Sequence, residues 1–330
     1  MTRSAVQSPA SIQAQLARLA KERKEDPQLF ILRYANERLL YRLSVSPHAK
    51  RFVLKGAALF TVWTGRAHRA SRDLDLLGFG ENTEDNLRAV FAEILAMPGD
   101  DGISFDVDTL TVGRIREDQE YGGVRVTATA HLNKARIRVQ IDVGFGDAIS
   151  PGAVQLEFPT LLSFPAPVIR TYPRETVVAE KFEAMVSLGM GNSRMKDFFD
   201  IYWLSRTFDF DAATLSNAVH ATFERRETPL PDGLPVAFTP LFTQDAMKSA
   251  QWKGFIRKSG VDDGALTLTV VCDAISTFLE TPLRIMGGDH NLSARWPAGG
   301  PWPTGERPNV SDSAERMIGA HSKALGKLAR

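Results

Sequence analysis

The sequence has one cysteine, Cys272, in 330 residues, so no internal disulfide can form. A zinc site built from several cysteines is excluded for the same reason. The six histidines are scattered without metal-ligand spacing, so any divalent metal has to be held by carboxylates. A chain that uses cysteine so sparingly is typical of a reducing compartment, and we expect a cytoplasmic protein.

The sequence also lacks long apolar runs and an excess of either charge. No run approaches the roughly 18 to 20 apolar residues that a membrane-spanning helix needs. The N-terminal residues lack the apolar core of a signal peptide, so we expect no membrane association. The 40 Lys and Arg and 39 Asp and Glu leave a formal net charge of +1, which excludes a strongly polyanionic or polycationic protein but not a local basic cleft.

Apolar periodicity predicts that helices and strands mix in the first half of the chain and that helices dominate the second. Helices are predicted at 11–24, 27–43, 59–63, 84–97, 174–189, 194–206, 211–225 and 264–280, and strands at 52–54, 73–77, 104–112, 123–132 and 136–143. We predict an α+β fold: helices over 1–45 packed on the core, a lobe with a small mixed sheet over 46–168, a helical lobe over 169–285, and a flexible Gly- and Pro-rich tail over 286–330.

Two aspartates two residues apart, Asp73 and Asp75, point to the same face of a predicted strand, and the leucines between and after them enter the core. Carboxylates held side by side repel each other, and a divalent cation that prefers oxygen ligands removes the repulsion. An isolated pair of this kind is more often two solvated aspartates. We interpret the second such pair, Asp106 and Asp108, in that way.

Asp142 lies on the polar face of the strand predicted at 136–143, together with Arg136, Arg138 and Gln140. Taken alone, such a carboxylate more often forms a surface ion pair. Next to a strand that carries Asp73 and Asp75, it can be the third ligand of a two-metal site.

Two charged groups stand on the helices that follow. Lys181 shares a helical stripe with apolar residues, so it either extends to solvent or reaches into a cleft, where it can hold a triphosphate. Asp197 and Asp200 lie one turn apart, after Arg194. They are either an ordinary Arg–Asp helix pair or groups that orient Lys181, position the nucleotide sugar or join the two lobes.

The order of these segments resembles the AbiEii/AbiGii toxin nucleotidyltransferases, a family within the DNA polymerase β-like nucleotidyltransferase superfamily. The likeness runs from about residue 27 to 230. Each segment is weak by itself, and five in register are fairly specific: Lys55-Gly56-Ala57, Arg69-x-Ser71-x-Asp73-Leu74-Asp75, Gln140-Ile141-Asp142, Ala179-Glu180-Lys181 and Arg194-x-Lys196-Asp197-x-x-Asp200.

The resemblance implies a metal-dependent nucleotidyltransferase in which Mg²⁺ or Mn²⁺ binds Asp73, Asp75 and Asp142. The expected catalytic residues are these three aspartates together with Lys181 and Asp197. Ala57 replaces a serine or glycine found at this turn elsewhere in the superfamily, and loses a hydroxyl donor relative to serine. The resemblance assigns nucleotide binding to Lys55, Gly56, Ala57, Ser71, Lys181, Arg194 and Asp200.

Family members are the toxin halves of two-gene toxin–antitoxin and abortive-infection loci. The resemblance therefore implies transfer of a nucleoside monophosphate from a nucleoside triphosphate to an RNA acceptor, expected to be the 3′ end of tRNA, which blocks translation. It also implies a winged-helix, AbiEi-like antitoxin encoded beside the toxin, with no stable complex assumed.

Two other functions use the same fold: a small-molecule, antibiotic-modifying nucleotidyltransferase, and a non-catalytic binding protein. An enzyme acting on a polycationic drug needs an acidic acceptor pocket, and a non-catalytic scaffold has no reason to keep crowded carboxylates. RNA needs a basic track. The cleft is expected to carry Arg125 and Arg170, and RNA binding is assigned to Lys134, Arg136, Arg138 and Arg174.

Overall fold

The computed structural model describes residues 7–65, 71–115, 123–231, 233–259, 266–289 and 294–303. The helices of this part are α1 (Pro9–Arg23), α2 (Pro27–Val45), α3 (Ala58–Thr64), α4 (Glu84–Ala96), α5 (Arg174–Leu188), α6 (Met195–Thr207), α7 (Ala212–Arg225), α8 (Pro240–Thr243), α9 (Ala246–Ser259) and α10 (Leu268–Met286). The strands are β1 (Phe52–Lys55), β2 (Leu74–Gly78), β3 (Ile103–Arg114), β4 (Val124–Leu132), β5 (Ala135–Phe145), β6 (Val154–Glu157), β7 (Val168–Thr171), β8 (Phe210–Asp211) and β9 (Arg295–Trp296).

Seven strands form one mixed sheet in the order β3-β4-β5-β2-β1-β7-β6. The β2–β5 and β1–β7 pairs are parallel, and the other neighbours are antiparallel. Along β5 the side chains of Ile137, Val139, Ile141 and Val143 are buried, and α2 contacts this strand. The alternate residues of β5 face the other way, as the sequence period predicts. The predicted α+β fold is confirmed.

The N-terminal helices begin where the sequence offers capping groups. The Ser8 hydroxyl accepts from the amide of Ser11 at 3.2 Å, and the Asp26 carboxylate accepts from the amide of Gln28 at 2.8 Å. A proline follows each cap, at the first helical position, where its fixed φ suits the helix and no N–H is needed. Both helices therefore start within two residues of their predicted positions.

A half-buried ionic cluster joins the sheet to the helices. The Lys55 ammonium at the end of β1 donates to Asp147 Oδ2 at 2.6 Å, and Arg226 Nη2 donates to Asp147 Oδ1 at 3.1 Å. Arg226 Nη1 also donates to Glu183 of α5 at 2.6 Å. Because each bond is charge-assisted and partly shielded from water, this cluster fixes β1 relative to α5 and the end of α7.

Part of the expected flexible tail is packed instead. β9 pairs with β8, and the side chains of Trp296 and Trp302 are only 4% and 8% exposed. Both rings contact Phe278, and the Trp296 indole donates to the carbonyl of Ser205 at 2.7 Å. The prediction is wrong here because two tryptophans supply apolar area within a Gly- and Pro-rich segment. Residues 304–330 lie outside the described part, and the division into lobes stays a prediction.

The prediction also missed short or weakly patterned elements. β6 and β7 have four residues each, too few for a period to show, and α9 buries only Lys248 and Trp252. In the described part of the chain, no helix is both long and apolar enough to cross a membrane.

Candidate active site

Three carboxylates meet at the centre of the sheet. Asp75 of β2 lies directly opposite Asp142 of β5 in their parallel register, and Asp73 comes just before β2. One oxygen from each lies within 4.8 Å of the others. The Ser71 hydroxyl donates to Asp73 Oδ1 at 2.9 Å. The structure thus brings together the three residues that were predicted to hold metal.

Crowding of these carboxylates has a measurable consequence for Asp75. Burial and the negative charge of Asp73 raise the pKa of Asp75 to about 6, against the opposing effect of Lys55 and Lys196. The nearby cations therefore do not offset the burial of Asp75 and the negative charge of Asp73. Three clustered carboxylates are hard oxygen donors, so these residues fit Mg²⁺ or Mn²⁺ better than a softer metal.

Gly56 makes room for this cluster. It adopts a left-handed φ of +72° at the turn between β1 and α3, and a side chain there would overlap the Asp75 carboxylate. The backbone turn and the carboxylate therefore approach each other as closely as glycine permits. Ala57 follows as the N-cap residue of α3 and makes no side-chain capping hydrogen bond.

A row of charged residues crosses four neighbouring strands through the site. Lys55 pairs with Asp75, Asp75 pairs with Asp142, and Asp142 pairs with Arg125 of β4. The sequence of charges is positive, negative, negative, positive. The Arg125 guanidinium binds both Asp142 oxygens, at 2.8 Å from Nε and 2.7 Å from Nη2. This pairing could not be read from the sequence because it depends on strand register.

Lys55 was predicted to bind nucleotide, and the structure places it between the site and the ionic cluster. Its ammonium lies 3.6 Å from Glu180 in addition to its bond with Asp147. Burial alone would lower the pKa of Lys55, but Glu180 and Asp147 outweigh it and raise that pKa. Burial raises the pKa of Glu180, whereas Lys55 and Arg226 hold the pKa of Asp147 at about 2 despite its burial. Lys55 therefore stays charged beside Asp75.

Lys181 belongs to a second ionic cluster between α5 and α6. Its ammonium lies 2.7 Å from Asp197 Oδ1 and 2.9 Å from Asp200 Oδ2, and both aspartates are fully buried. Arg194 Nε donates to the other oxygen of Asp197 at 2.6 Å. Burial favours a raised pKa at Asp197, but Lys181 and Arg194 outweigh it and lower that pKa. The four residues predicted on these helices therefore meet, and the aspartates orient Lys181.

Lys196 is a site neighbour that no periodicity or spacing in the sequence singles out. It lies in the first turn of α6 between Arg194 and Asp197, its side chain is exposed, and its charge acts on Asp75. The start of α6 therefore contributes positive charge near the three carboxylates. The only sequence signal was its place inside the segment that resembles the family.

The basic residues divide into two groups. Arg136 and Arg138 are exposed on the same face of β5 as Asp142, which we call the open face, and Lys134 is exposed at the turn before β5. The Arg174 guanidinium instead packs over the Phe208 ring, 4.4 Å from its centroid. Its expected role in RNA binding stays a prediction, as do the roles of the others. Arg69 lies outside the described residues.

The other residues with the same spacing have a local structural role. Asp106 Oδ1 accepts from the amide of Asp108 at 3.1 Å, where the register of β3 and β4 shifts. The interpretation of this pair as two solvated aspartates stays a prediction.

A small cavity beside Asp73 is lined by buried polar groups of α2, among them Asn36 and Glu37. Glu37 Oε2 accepts from the amide of Leu161 at 2.7 Å and the Arg38 guanidinium lies 2.9 Å from Oε1. Burial raises the pKa of Glu37 to about 7 although Arg38 opposes the shift. Glu37 thereby ties α2 to the loop before β7, a role that its place on a mostly apolar helix did not indicate.

Comparison with known proteins gives a family match over most of the chain. The family profile described as nucleotidyl transferase AbiEii toxin, type IV TA system, matches residues 38–280. No protein with a curated description matches. Among solved structures, JHP933 from Helicobacter pylori is similar at 14% identity and a TM-score of 0.46, covering 78% of this chain and 94% of that one. A candidate nucleotidyltransferase from H. pylori gives 13% identity and a TM-score of 0.44, covering 77% and 96%.

Proposed function

Because the chain belongs to the AbiEii nucleotidyl transferase toxin family of type IV toxin–antitoxin systems, we propose that it transfers a nucleoside monophosphate to RNA. The donor is a nucleoside triphosphate and the acceptor is the 3′ end of tRNA, so that modification blocks translation. The observation that carries the proposal is the meeting of Asp73, Asp75 and Asp142 within 4.8 Å on one face of the sheet.

In the proposed reaction, a 3′ hydroxyl oxygen of the RNA forms a bond with the α-phosphorus of the triphosphate. The bond to the bridging oxygen breaks, pyrophosphate leaves, and the hydroxyl proton passes to a base. We propose Asp142 as that base or as a ligand of the second metal. Asp73, Asp75 and Asp142 would hold Mg²⁺ or Mn²⁺, which supplies charge neutralisation at the phosphates and activates the hydroxyl.

The triphosphate is proposed to bind at the β1 end of the charged row. The turn at Gly56 lies against the Asp75 carboxylate, and Lys55 supplies a fixed positive charge next to Asp75. Ala57 and Ser71 complete the turn side of this site. Lys181 and Arg194, oriented by Asp197 and Asp200, supply further positive charge from the helices.

The RNA is proposed to lie along the open face of β5, on the side of the carboxylates away from β1. Arg136 and Arg138 are exposed there, six and four residues before Asp142, and a strand rises about 3.3 Å per residue. They therefore stand roughly 13 to 20 Å from the aspartate, a distance that a few nucleotides of extended RNA can cover. With Lys134 at the next turn, the basic residues form a line that ends at the carboxylates.

The biological setting follows from family membership. We propose that the protein acts in the cytoplasm as the toxin of a phage-defence locus, and that an AbiEi-like antitoxin encoded beside it limits its activity. No stable complex between the two is required by this proposal. Growth arrest by the toxin alone and its relief by co-expressed antitoxin would test this part.

The decisive experiment is incubation of the protein and Mg²⁺ with total RNA and each of the four α-labelled nucleoside triphosphates in turn. We expect at least one nucleotide to label RNA of tRNA length, and the Asp75→Asn variant to give none. Periodate oxidation of the RNA 3′ ends should prevent labelling. Labelling of added aminoglycosides but of no RNA would overturn the proposal in favour of a small-molecule acceptor, and no transfer to any acceptor would favour a binding protein.

A further inference from the structure

Arg125 engages one of the three clustered carboxylates completely. Its Nε and Nη2 atoms bind the two oxygens of Asp142 in a bidentate pair, and the residues face each other across β4 and β5. The amide of Gln140 lies beside this pair, and with its oxygen turned toward Arg125 it accepts from Nε at 3.2 Å. Asp142 is therefore held by a cation that belongs to the protein.

A divalent cation and a guanidinium both draw on the negative charge of the Asp142 carboxylate. Its two oxygens offer about four acceptor positions, of which Arg125 takes two, so a metal bound through Asp142 weakens the Arg125 pair by sharing that charge. The exchange is feasible because the Arg125 side chain is 45% exposed, whereas Asp142 is 17% exposed and fixed in the strand.

The direction in which Arg125 can act is set by its place in the charged row. Gly56 and Lys55 lie toward β1, on the side proposed for the triphosphate. Arg125 lies on β4 at the opposite end of the row, on the open face that also carries Arg138. A guanidinium displaced from Asp142 is thus next to the acceptor and ready to make a bidentate contact with a phosphate.

We propose that Arg125 is a positioning residue that exchanges partners: it holds Asp142 before the divalent cation binds, and afterwards binds a backbone phosphate near the 3′ end of the RNA acceptor. The inference rests on the proposed function. It predicts that metal and RNA bind cooperatively, since each favours the arrangement that the other requires, and the coupling is reciprocal. The cation thereby prepares the acceptor side as well as the donor side of the site.

The test measures RNA affinity with and without Mn²⁺, in the absence of nucleotide, using fluorescently labelled tRNA. Wild-type protein should bind tRNA about 5-fold or more tightly with Mn²⁺, at the lower end of usual coupling factors. The Asp75→Asn variant gives the baseline, which is the effect of Mn²⁺ on tRNA affinity that does not pass through the metal site. In Arg125→Gln the ratio of tRNA affinities with and without Mn²⁺ should fall to this baseline. Arg138→Gln is the matched control: it should weaken RNA binding and keep the ratio.

A second measurement follows Mn²⁺ binding without RNA by electron paramagnetic resonance. Removal of the competing guanidinium in Arg125→Gln should tighten Mn²⁺ binding several-fold, and Arg125→Lys, which lacks the planar fork, should fall between the two. Weaker Mn²⁺ binding in Arg125→Gln, or an unchanged Mn²⁺ effect on tRNA affinity, would overturn the exchange and leave Arg125 as a holder of Asp142. Failure of wild-type protein to bind tRNA at all would instead overturn the proposed RNA acceptor, and the exchange with it.

Discussion

A side chain at Gly56 would occupy the space of the Asp75 carboxylate, so the turn after β1 and the metal-site aspartate are sterically interlocked. Gly56→Ala should therefore both strain the backbone at φ +72° and displace Asp75. We expect a loss of about 1 to 3 kcal/mol in the free energy of unfolding. Loss of high-affinity Mn²⁺ binding should accompany it. Urea unfolding and electron paramagnetic resonance measure the two effects.

The matched control is Gly65→Ala. Gly65 has φ +73°, and a side chain there meets nothing within 4 Å. This variant should show the backbone cost alone and bind Mn²⁺ as the wild type does. Equal Mn²⁺ affinity in all three proteins would show that the close approach of Gly56 to Asp75 does not matter for the site.

Removal of the charge at Asp75 should abolish transfer without unfolding the protein. The folded-state pKa of about 6 exceeds the ordinary value of 3.8, so the ionised carboxylate destabilises the folded state without metal, increasingly as pH rises from about 4 to about 6. At pH 8, Asp75→Asn should thus unfold at a higher urea concentration than wild type, with a free energy of unfolding larger by up to about 3 kcal/mol. Its transfer rate should be at least ~10³-fold lower. A variant that unfolds or remains active would show that Asp75 has a structural role or none.

Glu37 should lower the free energy of unfolding as pH rises through a second range. Its folded pKa of about 7 lies above the ordinary value of 4.5, so the folded state holds the proton more tightly and loses stability as pH rises from about 4.5 to about 7. Wild type should lose unfolding free energy between pH 5 and pH 8, and Glu37→Gln should not. At pH 8 the variant should therefore gain up to about 3 kcal/mol over wild type relative to their difference at pH 5. Guanidinium unfolding at the two pH values tests this, and parallel pH profiles for the two proteins would contradict it.

Lys181 should prove structural as well as functional. Removal of its ammonium takes one close cation away from the fully buried Asp197 and Asp200, so Lys181→Met should cost about 3 to 5 kcal/mol in unfolding free energy. Asp200→Asn added to Lys181→Met should recover part of this loss. Nucleotide binding is best compared by calorimetry in the double variant, where part of the stability is recovered. An unimpaired affinity there would remove Lys181 from the triphosphate site.

Arg136 and Arg138 should contribute to RNA binding by neutralising backbone phosphates. Arg136→Gln with Arg138→Gln should reduce the slope of log affinity against log salt by roughly 0.7 to 0.9 for each phosphate that is no longer neutralised. Binding of free nucleoside triphosphate should be unchanged. Arg18→Gln with Lys21→Gln, which removes two charges from α1, is the control and should leave the slope intact. An unaltered slope in the strand variant together with lost nucleotide affinity would move the acceptor away from the open face.

The sequence was most informative where a short period decides the structure. Alternation along β5 placed Asp142 on the face opposite Ile141 and Val143, and the spacing of Asp73 and Asp75 placed them together. The register that sets Asp75 opposite Asp142 joins strands more than sixty residues apart, and no local pattern determines it. Family resemblance bridged that gap for the aspartates.

Partners of charged residues were the hardest feature to predict. Helical spacing put Lys181 on a stripe with apolar residues, and this suggested a choice between solvent and cleft. The structure pairs Lys181 with Asp197 and Asp200, one of the alternatives left open for these aspartates, and this pairing depends on how α5 packs on α6. The bond from Arg125 to Asp142 likewise depends on the pairing of β4 with β5.

The packing of Trp296 and Trp302 around Phe278 separates two kinds of boundary. The family match ends at residue 280, yet buried side chains continue to Trp302. A relative that stops near the inherited boundary has to close the space around the equivalent of Phe278 with other side chains, because protein interiors tolerate few voids. In this chain the packing that closes this corner therefore depends on side chains that lie beyond the family match.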